Sequence, residues 1–322
     1  MAFGDFLTCG FEGLSVPPDF ARFLREKKPG GVILFSRNYE SPAQLKALCA
    51  ELKSFSDNPP LIMVDQEGGP VVRFREGFPD LPPMRMFGEK RDFAGLSSAC
   101  HRTAEALGKA GVDVNLAPVV DVITDPHNEY LKPRTFGDEP FLVSQMAKAA
   151  IEAFHAGGVL TCAKHFVALG DSAKDPHQHL PQSGASKEKL EVVFFPPFRA
   201  AVEAGVDCVM STHIVVPALD EKEPVVFSKT ALSLLRVVLS FDGAVLSDDL
   251  EMGAIVEGWG VPKAAVLALS AGNDMALVCH SLKHQEEALE KITREAEKNA
   301  DFARQLKVSQ RRLKALRAKR RV

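Results

Sequence analysis

The chain has 322 residues, of which 46% are hydrophobic and 25% charged, with 39 basic and 42 acidic side chains. This is close to the composition of an average soluble globular protein, and the length admits an α/β barrel as one large domain. A formal net charge of -3 and a pI near 6.3 give no global positive field, so we expect no nucleic-acid partner.

The N-terminal residues 1–6 lack the basic and long apolar segments of a secretory signal, and no run of about 18 apolar residues occurs anywhere. We therefore expect a cytoplasmic protein with no membrane partner. The six cysteines are widely dispersed, several of them in apolar runs, and none shows CxxC spacing. This favours small buried hydrophobic side chains over a disulfide framework or a metal site.

Short apolar runs alternate with longer segments of helical period, the pattern of a parallel sheet with crossover helices. Eight strands are predicted, at 6–11, 31–35, 61–65, 113–118, 159–165, 207–212, 244–248 and 274–278. Helices are predicted between them at 41–54, 96–111, 140–156, 187–204, 229–239 and 262–271. Eight strands indicate a (β/α)8 TIM-type barrel, with residues 1–280 as the single catalytic domain.

The tail, residues 281–322, is rich in Glu, Lys, Arg, Ala and Leu and contains no Gly or Pro. It predicts a C-terminal helical extension of one or two amphipathic helices that packs on the barrel exterior. Residues 314–321 are strongly basic. We interpret this short basic stretch as a solvated helix end rather than a nucleic-acid or membrane patch.

In an α/β barrel the chemistry lies on the loops after the strand C-termini, so polar residues there are informative. Such residues follow five predicted strands: Asp65-Gln66-Glu67-Gly68-Gly69, Asp121, Lys164-His165, His213 and Ser247-Asp248-Asp249. Asp248 follows the apolar run Ala244-Val245-Leu246, which places its carboxylate at the barrel mouth. Such a carboxylate attacks an electrophilic carbon, or else caps the next helix, and from this segment alone both interpretations are open.

Asp175-Pro176-His177 lies in a polar loop after the Lys164-His165 strand. The Asp175 carboxylate can fix one ring nitrogen of His177 and leave the other to carry a proton, as general acid/base catalysis requires. Zinc is the alternative for these histidines, but no HxH or HExxH pattern lies on a rigid element, so we expect no metal.

Lys164 has two chemical interpretations, a Schiff-base lysine and a donor to substrate hydroxyls. Neighbouring carboxylates would raise its pKa, which favours the donor role. Arg73 and Arg134 lie in turn-rich segments and can clamp vicinal hydroxyls or a carboxylate, although surface ion pairing is the commoner use of a single arginine.

Taken together, these segments resemble glycoside hydrolase family 3, in particular its single-domain bacterial β-N-acetylglucosaminidases of cell-wall recycling. The resemblance runs from about Gly30 to Asp274. The matching segments, in the expected order, are 31–39, 65–69 with Arg73-Phe74, 117–122, 134–137, 164–166 and 247–252. Several motifs in correct order are far more specific than any one of them.

The resemblance implies a role for eight residues. Asp248 is the nucleophile and Asp175 and His177 form the acid/base dyad. The sugar hydroxyls are held by Asp65, Arg73, Arg134, Lys164 and His165. One departure concerns the loop after Lys164-His165-Phe166, where the family usually has Pro-Gly-His-Gly-Asp and this chain has Val167-Ala168-Leu169-Gly170-Asp171.

We therefore predict a retaining exo-β-N-acetylglucosaminidase that releases terminal β-linked GlcNAc from peptidoglycan-derived muropeptides, such as GlcNAc-anhydroMurNAc peptides. It is expected to act as a monomer, without a cofactor, through a covalent glycosyl-enzyme on Asp248. The alternatives are a family 3 phosphorylase or β-glucosidase, an aldolase-like barrel that uses Lys164, and a non-catalytic sugar-binding protein. If His177 is displaced, Glu67 and His213 are the next candidates for the acid.

Overall fold

The computed structural model describes residues 3–176 and 179–320. Eight parallel strands close into a barrel in which each strand pairs with its neighbours in sequence and the last pairs with the first, Thr8 opposite Leu277. We number them β1 Leu7–Cys9, β2 Gly31–Leu34, β3 Leu61–Val64, β4 Val114–Asn115, β5 Leu160–Phe166, β6 Cys208–Ser211, β7 Ala244–Asp249 and β8 Met275–Val278. All eight predicted strands and the predicted TIM-type barrel are confirmed.

The predicted and observed strands differ most at β4, where only two of the six predicted residues form regular pairing. Pro118 has no N–H with which to continue the ladder. Single backbone bonds nevertheless keep this segment beside its neighbours, since Leu116 donates its N–H to the Val64 carbonyl and Cys162 donates to the Ala117 carbonyl. A small hairpin of Gln66–Gly68 and Val71–Val72, which was not predicted, follows β3.

Helices cover the outside of the barrel. Their bounds are Pro18–Lys27, Pro42–Ser54, Met84–Lys90, Phe93–Ala110, Pro140–Ala156, Lys187–Lys189 continued by a π-helical turn Leu190–Phe194, Phe195–Glu203, Lys229–Val237, Gly253–Val256, Val261–Ala271, Leu282–Lys298 and Ala300–Ala318. The helices Pro18–Lys27, Met84–Lys90 and Gly253–Val256 were not predicted. Within the described ranges, no helix is both long enough and apolar enough to cross a membrane.

The tail forms two helices, as predicted, and the last one lies at the barrel end where the strands begin. Arg317 donates to the Asp5 carboxylate at 2.9 Å, and Lys319 donates to Asp207, directly before β6, also at 2.9 Å. Lys314 is exposed, as expected for a solvated helix end, but the Arg317 side chain is only 12% exposed because it pairs with Asp5. Part of the basic stretch thus forms ion pairs with acidic residues that precede the strands.

The barrel interior is packed with apolar side chains, and the six cysteines are buried and free, as predicted. Ile33, Leu116, Met210 and Leu277 come from or directly follow β2, β4, β6 and β8. Four side chains from alternate strands are the usual layer of a TIM barrel. These four also line a cavity at the end of the barrel where the strands terminate, so the core ends where the polar site begins.

Candidate active site

Three of the five predicted polar strand ends, those of β3, β5 and β7, line two adjoining cavities at the C-terminal face of the barrel. One, of about 230 Å³, is lined by Glu67, Arg134, Lys164 and His165, among others. The second, of about 420 Å³, has His280 and Phe35 in its wall. Asp65, Arg73, Asp248 and Met252 line both cavities, so Asp248 lies between them.

A buried ion-pair network lies in the smaller cavity. The Lys164 ammonium is 2.6 Å from both the Asp65 and the Glu67 carboxylates. Arg134 binds Glu67 through two parallel bonds, Nε to Oε2 at 2.8 Å and Nη2 to Oε1 at 2.9 Å. Arg73 Nη2 lies 3.6 Å from Asp65 Oδ2. This network pre-orients several donors toward the cavity.

The charges of this network fix the ionisation of its members. Burial alone would lower the pKa of Lys164, but the Asp65 and Glu67 carboxylates offset burial and raise it. Burial alone would raise the pKa of Glu67, but Arg134 and Lys164 hold it far below its usual range. Lys164 is therefore a charged donor rather than a Schiff-base amine, and Glu67 is ionised and unsuited to act as a general acid.

His165 is fixed by Asp121, which lies after β4. The Asp121 Oδ2 atom accepts hydrogen bonds from the His165 backbone N–H at 2.9 Å and from its ring Nδ1 at 2.8 Å. Because a carboxylate accepts, Nδ1 carries a proton and Nε2 is directed toward Arg134 Nη2, 3.3 Å away. Two bonds to one carboxylate thus set both the backbone and the ring of His165.

Asp248 is at the end of β7, as the sequence predicts. Burial alone would raise its pKa, but His213, His165 and the Asp249 backbone N–H outweigh burial and lower it. The Asp249 N–H donates to Asp248 Oδ1 at 2.8 Å. An ionised carboxylate that faces a polar cavity from a rigid strand is chemically equipped for nucleophilic attack or for stabilising a cationic transition state.

The loop that carries Asp175 is tied down at its base. Asp171 accepts from Ser183 Oγ at 2.6 Å, and Asn128 Nδ2 donates to the carbonyls of Leu169 at 3.1 Å and Ser172 at 2.7 Å. Asp171 also accepts from Thr124 and from the Lys189 ammonium. These bonds fix the loop from both sides of its base.

The family motif's Pro-Gly-His-Gly-Asp is replaced in this loop, and two of its positions have backbone surroundings that favour glycine. Ala168 occupies the place of the first glycine and keeps a left-handed conformation, with φ 70. Gly170 is retained, and a Cβ there would lie 2.0 Å from the Val122 carbonyl oxygen. The loop backbone therefore has two positions that favour glycine, one occupied by Gly170 and the other by Ala168.

The structure brings six predicted residues together around the two cavities: Asp65, Arg73, Arg134, Lys164, His165 and Asp248. Asp175 precedes Pro176, which lines the smaller cavity and accepts a backbone bond from Ala254 at 3.3 Å. The predicted acid/base His177 lies outside the described residues. Among the residues that the structure does describe, no three His, Cys, Asp or Glu side chains are grouped as a metal site would require.

Sequence reasoning assigned no role to Tyr130 and His280, which also line the cavities, and considered Glu67 only as a substitute acid. The ion-pair role of Glu67 could have been found, because a charged residue beside Asp65 at a strand end needs a partner of opposite charge. His280 follows β8 after a single cysteine, so the strand-end criterion, applied one residue further along, would have included it. Tyr130 lies in an irregular loop, and nothing in its spacing points to the cavity.

Comparison with known proteins agrees with this geometry. The family described as "Glycosyl hydrolase family 3 N terminal domain" matches residues 15–316. A β-hexosaminidase of Thiobacillus denitrificans is 38% identical over 289 residues, which are 87% of this chain and 79% of that protein.

Solved structures give the same result. A family 3 β-N-acetylglucosaminidase from Paenibacillus sp. str. FPU-7 superposes with a TM-score of 0.96 at 34% identity, over 99% of this chain and 62% of that one. NagZ from Neisseria gonorrhoeae superposes with a TM-score of 0.82 at 29% identity, over 98% of this chain and 96% of that one. With its closed barrel and these relatives, the chain is a glycoside hydrolase and belongs to glycosyl hydrolase family 3.

Proposed function

We propose that the protein is a retaining exo-β-N-acetylglucosaminidase with Asp248 as its nucleophile. The observation that carries the proposal is the ionised Asp248 carboxylate between two cavities, one of which is lined by the donors Lys164, Arg134 and His165. The names of the Thiobacillus and Paenibacillus proteins support a β-linked N-acetylhexosamine as the substrate.

The reaction proceeds by double displacement. The Asp248 carboxylate attacks the anomeric carbon while His177, in its protonated form, donates a proton to the leaving oxygen. The bond between the anomeric carbon and that oxygen breaks, and a covalent glycosyl-enzyme forms. His177 then takes a proton from water, which attacks the anomeric carbon and releases Asp248, so the β-configuration is retained. Asp175 orients the His177 ring.

The binding residues hold the sugar ring for this attack. Lys164 and Arg134 donate to hydroxyl groups, while Asp65 accepts from them and Arg73 and His165 complete the set. Their mutual ion pairs reduce the reorganisation needed on binding, because Lys164 and Arg134 are already held in place in the wall of the cavity. A histidine acid leaves no negative charge after proton transfer, which suits a leaving group that carries a carboxylate.

The natural substrates in this proposal are muropeptides from peptidoglycan, such as GlcNAc-anhydroMurNAc peptides, and the protein acts in the cytoplasm as a monomer. The catalytic barrel covers residues 1–280, and residues 281–322 form an extension that supports it. The resemblance of the sequence to the single-domain enzymes of wall recycling supports this substrate class.

Hydrolysis of a chromogenic β-N-acetylglucosaminide tests the proposal, with the matching β-glucoside as its control. We expect turnover of the first substrate, with a β-configured initial product by NMR and the same product with or without phosphate. A glycosyl phosphate as product would identify a phosphorylase instead. Preference for the glucoside would identify a β-glucosidase, and binding without turnover would identify a sugar-binding protein.

A further inference from the structure

Asp249, the residue after the proposed nucleophile, is bound on three sides. Its backbone N–H donates to Asp248 Oδ1 at 2.8 Å. Its backbone carbonyl accepts from His213 Nε2 at 2.8 Å, and its Oδ2 lies 3.0 Å from His280 Nε2. Its remaining oxygen, Oδ1, accepts from the Glu251 N–H at 3.1 Å. One residue thus connects the nucleophile to two histidines.

The two histidines come from the strands on either side of β7. His213 follows β6 and is completely buried, and His280 follows β8 and is half exposed. Since a carbonyl oxygen only accepts, His213 must carry its proton on Nε2 to bind the Asp249 carbonyl. His280 likewise donates from Nε2 to a carboxylate, which is possible whether the ring is charged or neutral.

His280 is itself held in place. The Glu251 carboxylate accepts from the His280 backbone N–H at 2.6 Å and from His284 Nδ1 at 2.6 Å. Arg37 Nη1 lies 3.2 Å from His280 Nδ1, and the Phe35 ring lies against the imidazole with 5.3 Å between centroids. The ring therefore has little freedom to leave Asp249.

We propose that Asp249 is a positioning residue for the nucleophile, held by His280 and His213 so that its peptide N–H fixes the Asp248 carboxylate for attack. The inference rests on the proposed function, in which Asp248 is the nucleophile. The Asp249 N–H lies in the peptide plane between Asp248 and Asp249, whereas the Asp249 carbonyl lies in the next plane. His213 and His280 therefore restrain the N–H by holding the Asp249 Cα between them, through the carbonyl and the side chain. The same N–H helps to lower the pKa of Asp248.

This role predicts a particular kinetic signature. A misplaced nucleophile slows attack on every substrate by the same factor, because attack on the anomeric carbon is common to all of them. An error of about 1 Å costs on the order of a hundredfold. Loss of the His280 bond should therefore reduce kcat/KM by about ten- to a hundredfold, equally for good and poor leaving groups, and leave KM near its original value.

The experiment compares His280→Leu with His280→Gln, which keeps an N–H donor at a similar distance. We expect the loss in His280→Leu and substantial recovery in His280→Gln. Asp249→Ala should resemble His280→Leu, and Asp249→Asn, which keeps an acceptor oxygen, should be milder. The rate of covalent labelling of Asp248 by a fluorinated sugar inactivator should fall in parallel with kcat/KM.

His155→Leu is the matched control. His155 forms a similar pair with Asp207, 2.8 Å from Nε2 to Oδ2, at the opposite end of the barrel. We expect its kcat/KM to be unchanged. Circular dichroism of each variant reports whether the fold is retained, and His280→Leu, at a half-exposed side chain, keeps the test decisive if Asp249→Ala fails to fold.

The inference is overturned if His280→Leu and Asp249→Ala keep the original kcat/KM and labelling rate. It is equally overturned if KM rises with kcat unchanged, since His280 would then bind substrate, or if the loss is confined to poor leaving groups. Failure of the proposed function is distinguishable, because the inactivator would then label a residue other than Asp248 in the unmodified protein.

Discussion

Lys164 Nζ and Glu67 Oε1 lie 2.6 Å apart, and their side chains are only 2% and 1% exposed. Burying two charges is costly unless each has partners, and here Asp65 also binds the lysine while Arg134 binds the glutamate. The pair is therefore the centre of a network whose members depend on one another.

Replacing Lys164 with methionine should destabilise the protein by about 3–5 kcal/mol, because Asp65 and Glu67 then lose a buried cation. Urea unfolding at neutral pH measures this loss. The difference in unfolding free energy between the variant and the original protein should shrink as the pH falls, since protonation of Asp65 and Glu67 removes their uncompensated negative charge. Lys109→Met, at an exposed pair with Glu105 in the helix Phe93–Ala110, is the control and should leave the unfolding free energy unchanged. A Lys164→Met variant as stable as the original would contradict the network.

Replacement of Asp248 with asparagine should reduce kcat by several orders of magnitude while preserving the fold, because the carboxylate acts in the transition state. Circular dichroism and steady-state kinetics measure the two properties. Mass spectrometry after treatment with a fluorinated sugar inactivator should locate the label on Asp248. A label on Asp249 or Glu251 would refute the assignment.

His177→Ala should slow substrates with poor leaving groups by about a hundredfold or more, and activated aryl glycosides much less, because only the former need protonation. Asp175→Ala should show the same dependence more weakly, since it removes the orienting group and keeps the proton carrier. Kinetics over a series of aryl leaving groups measure this. An equal effect on all leaving groups would mean that His177 binds substrate or holds the loop.

The fall of kcat/KM on the acidic side of the pH profile should begin at an unusually low pH. The pKa of Asp248 is lowered below its ordinary value of about 3.9, so the ionised nucleophile persists until the pH falls through that lowered value. The kcat/KM for an activated aryl glycoside should therefore not decline between about pH 7 and pH 5. A decline within that interval, in protein that circular dichroism shows to be folded, would mean that Asp248 titrates well above its ordinary value.

Ala168→Gly should leave the free energy of unfolding nearly unchanged, because relief of the left-handed conformation offsets the loss of a buried methyl group. Ala168 has φ 70, and a Cβ in the left-handed region costs roughly 1–2 kcal/mol, which glycine avoids. Part of this gain is lost to the greater freedom of glycine in the unfolded chain. Thermal or urea unfolding measures the change. Ala153→Gly, inside the helix Pro140–Ala156, is the matched control and should destabilise the protein by about 1 kcal/mol.

Periodicity was enough to predict the barrel, because the strands are short apolar runs between segments of helical period, and polar residues follow five of them. Those polar residues also place Asp65, Lys164 and Asp248 at one face from the sequence alone, since parallel strands end at the same edge. The limits of β4 could not be predicted in the same way. Pro118 interrupts its pairing, but the backbone bonds of Leu116 and Cys162 keep the segment in the barrel.

Residues that act through partners distant in sequence were harder to predict. Asp249 directly follows the predicted nucleophile in the sequence, but its contacts with His213 and His280 span 36 and 31 positions of the chain. Tyr130 reaches the cavity from an irregular loop whose path depends on Asn128 contacts to Leu169 and Ser172. Local sequence patterns do not predict such contacts, because these contacts depend on how the loops pack against one another.

The bond between Arg317 and Asp5 joins residues 312 positions apart, and β1 also needs β8 for its second neighbour. During synthesis on the ribosome the segment around Asp5 emerges 312 positions ahead of Arg317 and must wait for that residue before the pair can form. Until then the apolar residues Leu7 and Cys9 remain without their final cover. Closure of the barrel is thus a late event of high contact order, and the nascent chain is exposed to aggregation for longer than one whose first strand pairs only locally.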